Sequence, residues 1–149
     1  MFLKRPMSVS YETDRWCFDK YCAVHSDEFG GAFSDGEHLF GALFTGHLAV
    51  HKAALRVLLS RPELVSIRAA DRSLVEVQAA SRRLGERLMA GRDRHGAVVG
   101  VSPSLHEGQF LPFVYVSDCS PEVAAEITAR AHPEAIKVFC ARGKRRTMA

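Results

Sequence analysis

The sequence lacks most of the short motifs that identify an enzyme. It contains no GxSxG nucleophile elbow, no glycine-rich P-loop with its lysine, and no CxxC pair. It also lacks any apolar run approaching the roughly 20 residues that a membrane-spanning helix needs. These absences argue against a serine hydrolase, a P-loop nucleotide-binding protein and a transmembrane protein. A protein without catalytic activity is therefore favoured over an enzyme.

The start of the chain also lacks the order of a secretory signal peptide, because Lys4 and Arg5 follow a very short apolar stretch. We therefore expect a cytoplasmic protein whose four cysteines are reduced thiols, with Cys140 a plain core residue. No internal repeat or low-complexity linker is recognisable. A chain of 149 residues with 47% hydrophobic residues is large enough to bury its own core, so residues 1–149 are predicted to form a single domain.

Residues 34–60 are predicted to form one long N-terminal helix. Ser34 and Glu37 fit a capping box, in which two side chains satisfy free backbone N–H groups. Apolar residues then recur at helical spacing, and Pro62 ends the pattern. The preceding residues 1–33 are rich in aromatic side chains, and we expect them to form an irregular cover, with a short helix as the alternative.

Residues 64–141 are predicted to contain strand, helix, strand, strand, helix and strand, in that order. Ser120-Pro121-Glu122 is a strong helix start, with a cap, a proline at the first helical position and an acid in the first turn. The order is that of the split βαβ, or ferredoxin-like (βαββαβ), fold. The prediction is therefore an α+β protein with an antiparallel sheet and helices on one face, followed by a basic tail at residues 142–149.

His47 and His51 are four residues apart in the predicted long helix. That spacing places two imidazoles on one helix face, where they can bind one metal ion. Leu48 stands where a metalloprotease helix would have its glutamate. The alternative is that both histidines simply line the edge of the buried stripe.

Cys17, Cys22 and His25 form a second candidate metal site, with Asp27 and Glu28 close by in the sequence. Thiolate and imidazole are zinc ligands, and His38, His47 or His51 can supply a further one. The spacing is not that of a standard zinc finger, so the alternative is a pair of core thiols among aromatic residues. Zinc is accordingly the cofactor to test, and the leading expectation is a protein without a cofactor.

Basic side chains form two groups that can neutralise the phosphates of a nucleic acid. Residues 47–96 hold ten basic and five acidic side chains. The first group lies around the end of the second predicted helix, and the second group is the tail. The candidate nucleic-acid-binding residues are Arg82, Arg83, Arg87, Arg92, Arg94, Arg142, Lys144, Arg145 and Arg146. The alternative is a solvated helix face and a solubilising tail.

Phe110, Phe113 and Tyr115 lie on the third predicted strand and can offer a platform on which bases stack. The glycine- and aromatic-rich motif of RNA-binding sheets is absent. Together these features predict a small binding or regulatory protein that acts through a protein partner, a second copy of the chain, or a nucleic acid. The alternative prediction is a small metal-dependent enzyme or a zinc-stabilised domain.

Overall fold

The computed structural model describes the backbone of residues 4–90 and 97–141. The helices are α1 (Lys4–Val24), α2 (Leu48–Leu58), α3 (Leu74–Ala90) and α4 (Pro121–Ala131). The strands are β1 (Phe29–Phe33), β2 (Phe40–Phe44), β3 (Val65–Ala69), β4 (Val98–His106), β5 (Gln109–Val116) and β6 (Lys137–Cys140). They form two compact units, unit 1 (Met1–Val75) and unit 2 (Glu76–Ala149). Among the described residues, no helix is both long and apolar enough to cross a membrane.

Unit 1 contains a three-stranded sheet with β2 at its centre. β2 pairs antiparallel with β1 and parallel with β3. A buried core joins this sheet to α1 and α2, and it consists of Phe18, Cys22, Phe40, Ala42, Phe44, Leu55, Leu59 and Val65. Every residue of β2 is buried, so the strand is a continuous apolar run without polar alternation.

Unit 2 also contains a three-stranded sheet, with β5 at its centre. β5 pairs antiparallel with β4 and parallel with β6. Its core joins one face of the sheet to α3 and α4, and it consists of Leu84, Leu88, Ala97, Val98, Val114, Val116, Val123, Ile127 and Ala131. Because side chains alternate along a strand, Tyr115, which lies between Val114 and Val116, points to the opposite face of the sheet.

The two units repeat one architecture, although the sequence shows no recognisable repeat. Each consists of a helix, two antiparallel strands, a crossover helix and a third strand parallel to the second. In both units a bulge interrupts the first strand at the same place, just before Gly31 and just before Gly100. Equivalent backbone N–H groups also donate to equivalent carbonyl oxygens: Thr45 to Glu28 and Ala70 to Phe44 in unit 1, and Ser117 to Ala97 and Ala141 to Val116 in unit 2.

The α+β class is confirmed, but the ferredoxin-like sheet predicted for residues 64–141 is not what the described strands form. The elements follow one another in the predicted order, yet β3 pairs with β2 in unit 1. The strands β4, β5 and β6 form a separate sheet, and both sheets are mixed instead of antiparallel. The error arises because the parallel partner of β3 was hidden inside the predicted long helix.

The predicted helix over residues 34–60 is wrong in its first half. Asp35 Oδ1 accepts the backbone N–H groups of Glu37 at 2.9 Å and His38 at 2.8 Å, which forms an Asx turn in place of the capping box. β2 follows this turn, and α2 begins only at Leu48. Phe40 and Phe44 lie on one face of the strand, and their four-residue spacing also fits one face of a helix. The short apolar run is therefore compatible with either a strand or a helix.

The predicted irregular cover over residues 1–33 is also wrong, because these residues contain α1 and β1. The buried side of α1 includes Asp14, whose side chain is among the buried polar groups. Its carboxylate accepts the Ser60 backbone N–H at 3.0 Å and the Ser60 hydroxyl at 2.7 Å. A carboxylate in the buried stripe obscures helical periodicity, and its partner lies 46 residues away in the sequence.

The second half of the chain follows the predicted elements more closely. Ser120 Oγ accepts the Val123 backbone N–H at 3.3 Å, and Pro121 is the first residue of α4, as predicted. Pro103 and Gly108 are residue types typical of a loop, but only Glu107 and Gly108 form the turn of the β4–β5 hairpin. Both have positive φ, 51° and 81°, as in the two-residue turns that connect tight hairpins.

Two prolines face each other in that hairpin, since Pro103 is the partner of Pro112. Neither has a backbone N–H, so this must be a non-hydrogen-bonded position of the antiparallel ladder. The β5–β6 pairing runs only from Phe113 to Val116, so Pro112 lies just outside it. The central strand accommodates a proline because the proline lies where β5 has no neighbour on that side.

The prediction for Cys140 is wrong. Cys140 is exposed and forms a disulfide with Cys119, with a Cα–Cα distance of 5.4 Å. Cys17 and Cys22 are free thiols, as predicted. The cysteine pattern misled because the partner thiols are separated by 21 positions and meet only through the fold. The predicted tail, residues 142–149, lies outside the described residues.

Candidate functional site

Five polar and aromatic side chains meet in unit 1, in a group that we call the Glu28 cluster: Tyr21, His25, Glu28, His47 and His51. Glu28 is at its centre. His51 Nε2 lies 2.6 Å from Glu28 Oε1, and His47 Nδ1 lies 2.9 Å from Glu28 Oε2. The sequence analysis identified the three histidines, and the structure adds Glu28 as the group on which two of them converge.

Three elements build the Glu28 cluster. The last turn of α1 supplies Tyr21, Glu28 directly precedes β1, and α2 supplies His51 in its first turns. The Tyr21 hydroxyl lies 2.7 Å from His51 Nδ1. An ionised Glu28 can only accept, so His51 Nε2–H donates to it, and in the neutral imidazole Nδ1 then accepts the Tyr21 hydroxyl proton. Hydrogen bonds thus run in one direction, from Tyr21 through His51 to Glu28.

The electrostatics of the cluster agree with this direction. The hydrogen bond from His51, followed by that from His47, lowers the pKa of Glu28 below its ordinary value. Burial, with the nearby Cys22 and Glu28, raises the pKa of the Tyr21 hydroxyl. Tyr21 therefore stays a neutral phenol and is a poor nucleophile. The contacts of His51 fix its position and leave it unavailable for catalysis, since its side chain is only 4% exposed and both ring nitrogens already make hydrogen bonds.

His47 has an unusual backbone for a residue at the start of a helix. It is the N-cap of α2, with φ of 55° and ψ of 40°, and its side chain makes no capping hydrogen bond. A non-glycine residue in this left-handed region costs about 1–2 kcal/mol. The conformation directs the imidazole to Glu28 while leaving the side chain 69% exposed. Strain of this kind at a polar cluster marks a position worth testing for function.

The two cysteines of the predicted metal site do not join the cluster. Cys22 lies in the core of unit 1, where burial raises the pKa of its thiol to about 12. Cys17 packs against the same core. Within residues 4–90 and 97–141, no group of three histidine, cysteine or acidic side chains has an arrangement that could hold a metal ion. The zinc hypothesis stays a prediction, which elemental analysis of the purified protein tests.

A second candidate site lies on the sheet of unit 2, on the face opposite to α3 and α4. We call it the ring face, and its aromatic residues are Phe113, Tyr115 and Phe139. The ring centroids are 6.3 Å apart for Phe113 and Tyr115, 6.0 Å for Phe113 and Phe139, and 5.8 Å for Tyr115 and Phe139. Phe139 has half of its surface exposed and Tyr115 is partly exposed, whereas Phe113 is buried, with 9% of its surface exposed.

The strand register explains why these rings meet. Tyr115 of β5 is directly paired with Phe139 of β6, and Phe113 is paired with Lys137. On the other side of β5, Ser102 is paired with Phe113. Phe113 and Tyr115 were predicted as a platform, whereas Phe110 lies on the other face by alternation. Phe139 was missed because its strand has four residues and its pairing was unknown.

Three of the predicted basic residues lie within the described part of the chain. Arg82, Arg83 and Arg87 are on α3, which covers the opposite face of the sheet. Arg87 donates to the carbonyl oxygens of Arg130 at 3.3 Å and Ala131 at 3.2 Å, so it caps the end of α4. The remaining six, Arg92, Arg94, Arg142, Lys144, Arg145 and Arg146, lie outside the described residues.

Unit 1 also presents an apolar groove of about 240 Å³ beside α1. Its lining residues include Trp16, Val24 and Leu58, and Trp16 is 63% exposed. Lys20 Nζ lies 5.4 Å from the centroid of the Trp16 ring. Exposed apolar side chains of this kind suit a protein partner or a second copy of the chain, and that interaction stays a prediction.

Comparison with known proteins finds no family model, no curated protein and no solved structure that matches this chain. Function is therefore argued from the residues of the two candidate sites alone.

Proposed function

We propose that this protein binds single-stranded nucleic acid on the ring face of unit 2, without catalysing a reaction on it. The observation that carries the proposal is the mutual contact of Phe113, Tyr115 and Phe139 on the sheet face opposite to the helices. Single-stranded bases stack on aromatic rings displayed by a sheet, and the stacking tolerates any sequence because every base has a flat π-face.

The polar surroundings of the rings suit a phosphate backbone. Lys137 is exposed and follows the same face as Phe139, two positions before it. The segment that follows β6 in the sequence is strongly basic. Phosphates can be neutralised by five side chains on or directly after this strand: Lys137, Arg142, Lys144, Arg145 and Arg146.

The number of basic side chains limits how steeply the binding affinity can depend on the salt concentration. Each phosphate contact on a single strand contributes about −0.7 to the slope of log affinity against log salt, so five contacts give about −3.5. The net charge of the whole chain is only +3. Affinity should therefore depend on stacking as well as on charge, and it should fall with salt more gently than for a strongly basic domain.

The Glu28 cluster supports a catalytic alternative less well. A hydrolase or transferase needs an activated nucleophile or a metal-bound water. Tyr21 is a neutral phenol, and His51 is enclosed with both nitrogens engaged. The cluster is better interpreted as a polar connection between α1, β1 and α2.

Fluorescence anisotropy with a labelled single-stranded oligouridine, and with the matching oligothymidine, tests the proposal. Phe139→Ala and Tyr115→Ala should each weaken binding by about tenfold, the effect of losing one stacked base. Trp16→Ala is the control, since it removes an aromatic ring from unit 1 that is even more exposed, at 63% against 50% for Phe139. Recovery of the intact oligonucleotide on a denaturing gel tests the absence of catalysis.

Two results would overturn the proposal. One is the absence of binding to either oligonucleotide at low salt. The other is an equal loss of affinity in Phe139→Ala and Trp16→Ala, which would mean that binding does not take place on the ring face.

A further inference from the structure

The Cys119–Cys140 disulfide lies at the edge of the sheet of unit 2, where Cys140 directly follows Phe139 of the ring face. Cys119 is in the loop between β5 and α4, and Cys140 is the last residue of β6. Both residues are exposed. The crosslink therefore attaches the end of β6 to the loop beside it, at a place that a reductant in solution can reach.

β6 is a short edge strand. It has four residues, and among the described strands it pairs with β5 alone. Val138 is its residue that packs against the core of unit 2. The backbone N–H of Ala141 donates to the Val116 carbonyl at 2.8 Å just beyond the strand. In unit 1, the equivalent strand β3 has five paired residues and the same closing hydrogen bond, without a crosslink.

Phe139 is directly next to Cys140 in the sequence. Its position on the ring face depends on β6 staying in register, because Tyr115 and Phe139 meet through the pairing of β5 with β6. A short edge strand frays easily, since local opening needs only the contacts of that strand to be lost. Anything that frees the end of β6 therefore also loosens the most accessible ring of the proposed binding site.

We propose that Cys119 and Cys140 form a redox site, and that opening this disulfide with a dithiol reductant lowers the affinity of the ring face for single-stranded nucleic acid. The inference rests on the proposed function for its effect on binding. The redox site itself rests on the exposure of the disulfide and on its attachment to β6.

The chemical step is thiol–disulfide exchange. A thiolate of the reductant attacks one sulfur of the pair, the Cys119–Cys140 S–S bond breaks, and a mixed disulfide forms. The released cysteine thiolate takes a proton from water. The second thiol of the reductant, after losing its proton, then attacks the mixed disulfide and releases the other cysteine. Two electrons thus pass to the protein, which ends as two thiols, while the reductant ends as its own disulfide.

The experiment compares oxidised and dithiothreitol-treated protein in the oligouridine anisotropy assay. Reduction should weaken binding by about tenfold, as expected when one stacked ring is lost. The double variant Cys119→Ser/Cys140→Ser should bind as weakly as the reduced protein, with or without dithiothreitol. Cys17→Ser is the matched control, because it removes a free thiol and should keep the full redox response.

A second measurement does not depend on nucleic acid. Amide hydrogen exchange of residues 137–140 should accelerate on reduction, whereas exchange in the β4–β5 hairpin should stay unchanged. Faster exchange in β6 combined with no binding by the oxidised protein would support the redox site and reject the proposed function. Unchanged exchange in β6 would overturn the inference, and so would an oxidised protein that binds the oligonucleotide and keeps the same affinity after reduction.

Discussion

Unit 1 and unit 2 share a backbone plan and differ in the chemistry placed on it. The residue before the first strand shows this most clearly. Glu28 in unit 1 and Ala97 in unit 2 both accept a backbone hydrogen bond from the residue that follows the second strand. The Glu28 side chain organises a polar cluster, whereas Ala97 is a fully buried core residue.

The crossover helices differ in the same way. α4 starts with Ser120 in an extended conformation, with its hydroxyl accepting the N–H of Val123. α2 starts with His47 in the left-handed region and without a side-chain cap. In unit 2 the N-cap residue stabilises the helix. In unit 1 the N-cap residue makes no capping hydrogen bond and instead places an imidazole against Glu28.

The opposite sheet faces differ too. Where unit 2 has Tyr115 paired with Phe139, unit 1 has Leu43 paired with Arg68. Arg68 lies over the Phe33 ring at 4.4 Å and donates to Asp35 at 3.2 Å. The comparison teaches that the bulge and the closing hydrogen bonds belong to the scaffold, while the Glu28 cluster and the ring face are separate additions.

The largest expected effect tests whether the units are separate. Leu55→Ala in unit 1 and Ile127→Ala in unit 2 each remove a buried side chain and should each cost about 2–5 kcal/mol. We expect hydrogen-exchange protection to fall mainly in the sheet of the unit that carries the substitution. An equal loss in both sheets would instead make residues 1–149 one cooperative domain, as the sequence predicts.

The next effect concerns the difference between Glu28 and Ala97. Glu28→Ala should lower the free energy of unfolding by a measurable amount, because it leaves the enclosed His51 without an acceptor. Urea denaturation measures the change. Glu63→Ala is the control, since Glu63 forms an exposed ion pair with Arg61 at 3.6 Å, and exposed pairs contribute little. Equal effects of the two variants would contradict a structural role for the cluster.

A smaller effect is expected from acid. The folded-state pKa of Glu28 is lowered below its ordinary value of 4.5 by hydrogen bonds from His51 and His47. The stabilisation is therefore complete above that value and is lost as the pH falls through the lowered pKa. Glu28→Gln should flatten the decline of stability below about pH 4.5, measured by urea denaturation at several pH values. A decline identical to that of the wild type would remove Glu28 from the acid response.

The smallest effect compares the two helix starts. Ser120→Ala should destabilise the protein by about 1 kcal/mol through loss of the cap. His47→Gly should cost less, because relief of the left-handed strain offsets the lost bond to Glu28. Thermal unfolding of both variants measures the difference. A larger loss for His47→Gly than for Ser120→Ala would show that the imidazole contributes more to stability than to any other role.

The sequence predicted the elements whose signals are local. The Ser120-Pro121-Glu122 start of α4 is a chemical signature that needs no tertiary partner, and it was confirmed. The strands β3, β4, β5 and β6 also follow one another along the chain in the predicted order, with α3 and α4 at the predicted places between them. The histidines of the Glu28 cluster were also found, but they meet differently from the prediction: His51 lies on α2, His47 is the residue that precedes the helix, and both contact Glu28.

The sequence failed where a residue serves a distant partner. Asp14 is buried because it binds Ser60, and this contact disguised α1. β2 is buried on both faces, so it lacked the alternation that identifies a strand. The centre of the Glu28 cluster and the Cys119–Cys140 pair were missed for the same reason, because strand pairing and helix packing bring those groups together.

The facing prolines of the β4–β5 hairpin have a consequence for how the protein behaves at high concentration. At a non-hydrogen-bonded position, backbone donors point away from the partner strand, and Pro103 and Pro112 have none to offer. A strand from another molecule would therefore meet a missing donor on both outer sides of the hairpin. Such gaps discourage edge-to-edge aggregation, and the far end of the hairpin is kept from acting as a template for growing fibrils.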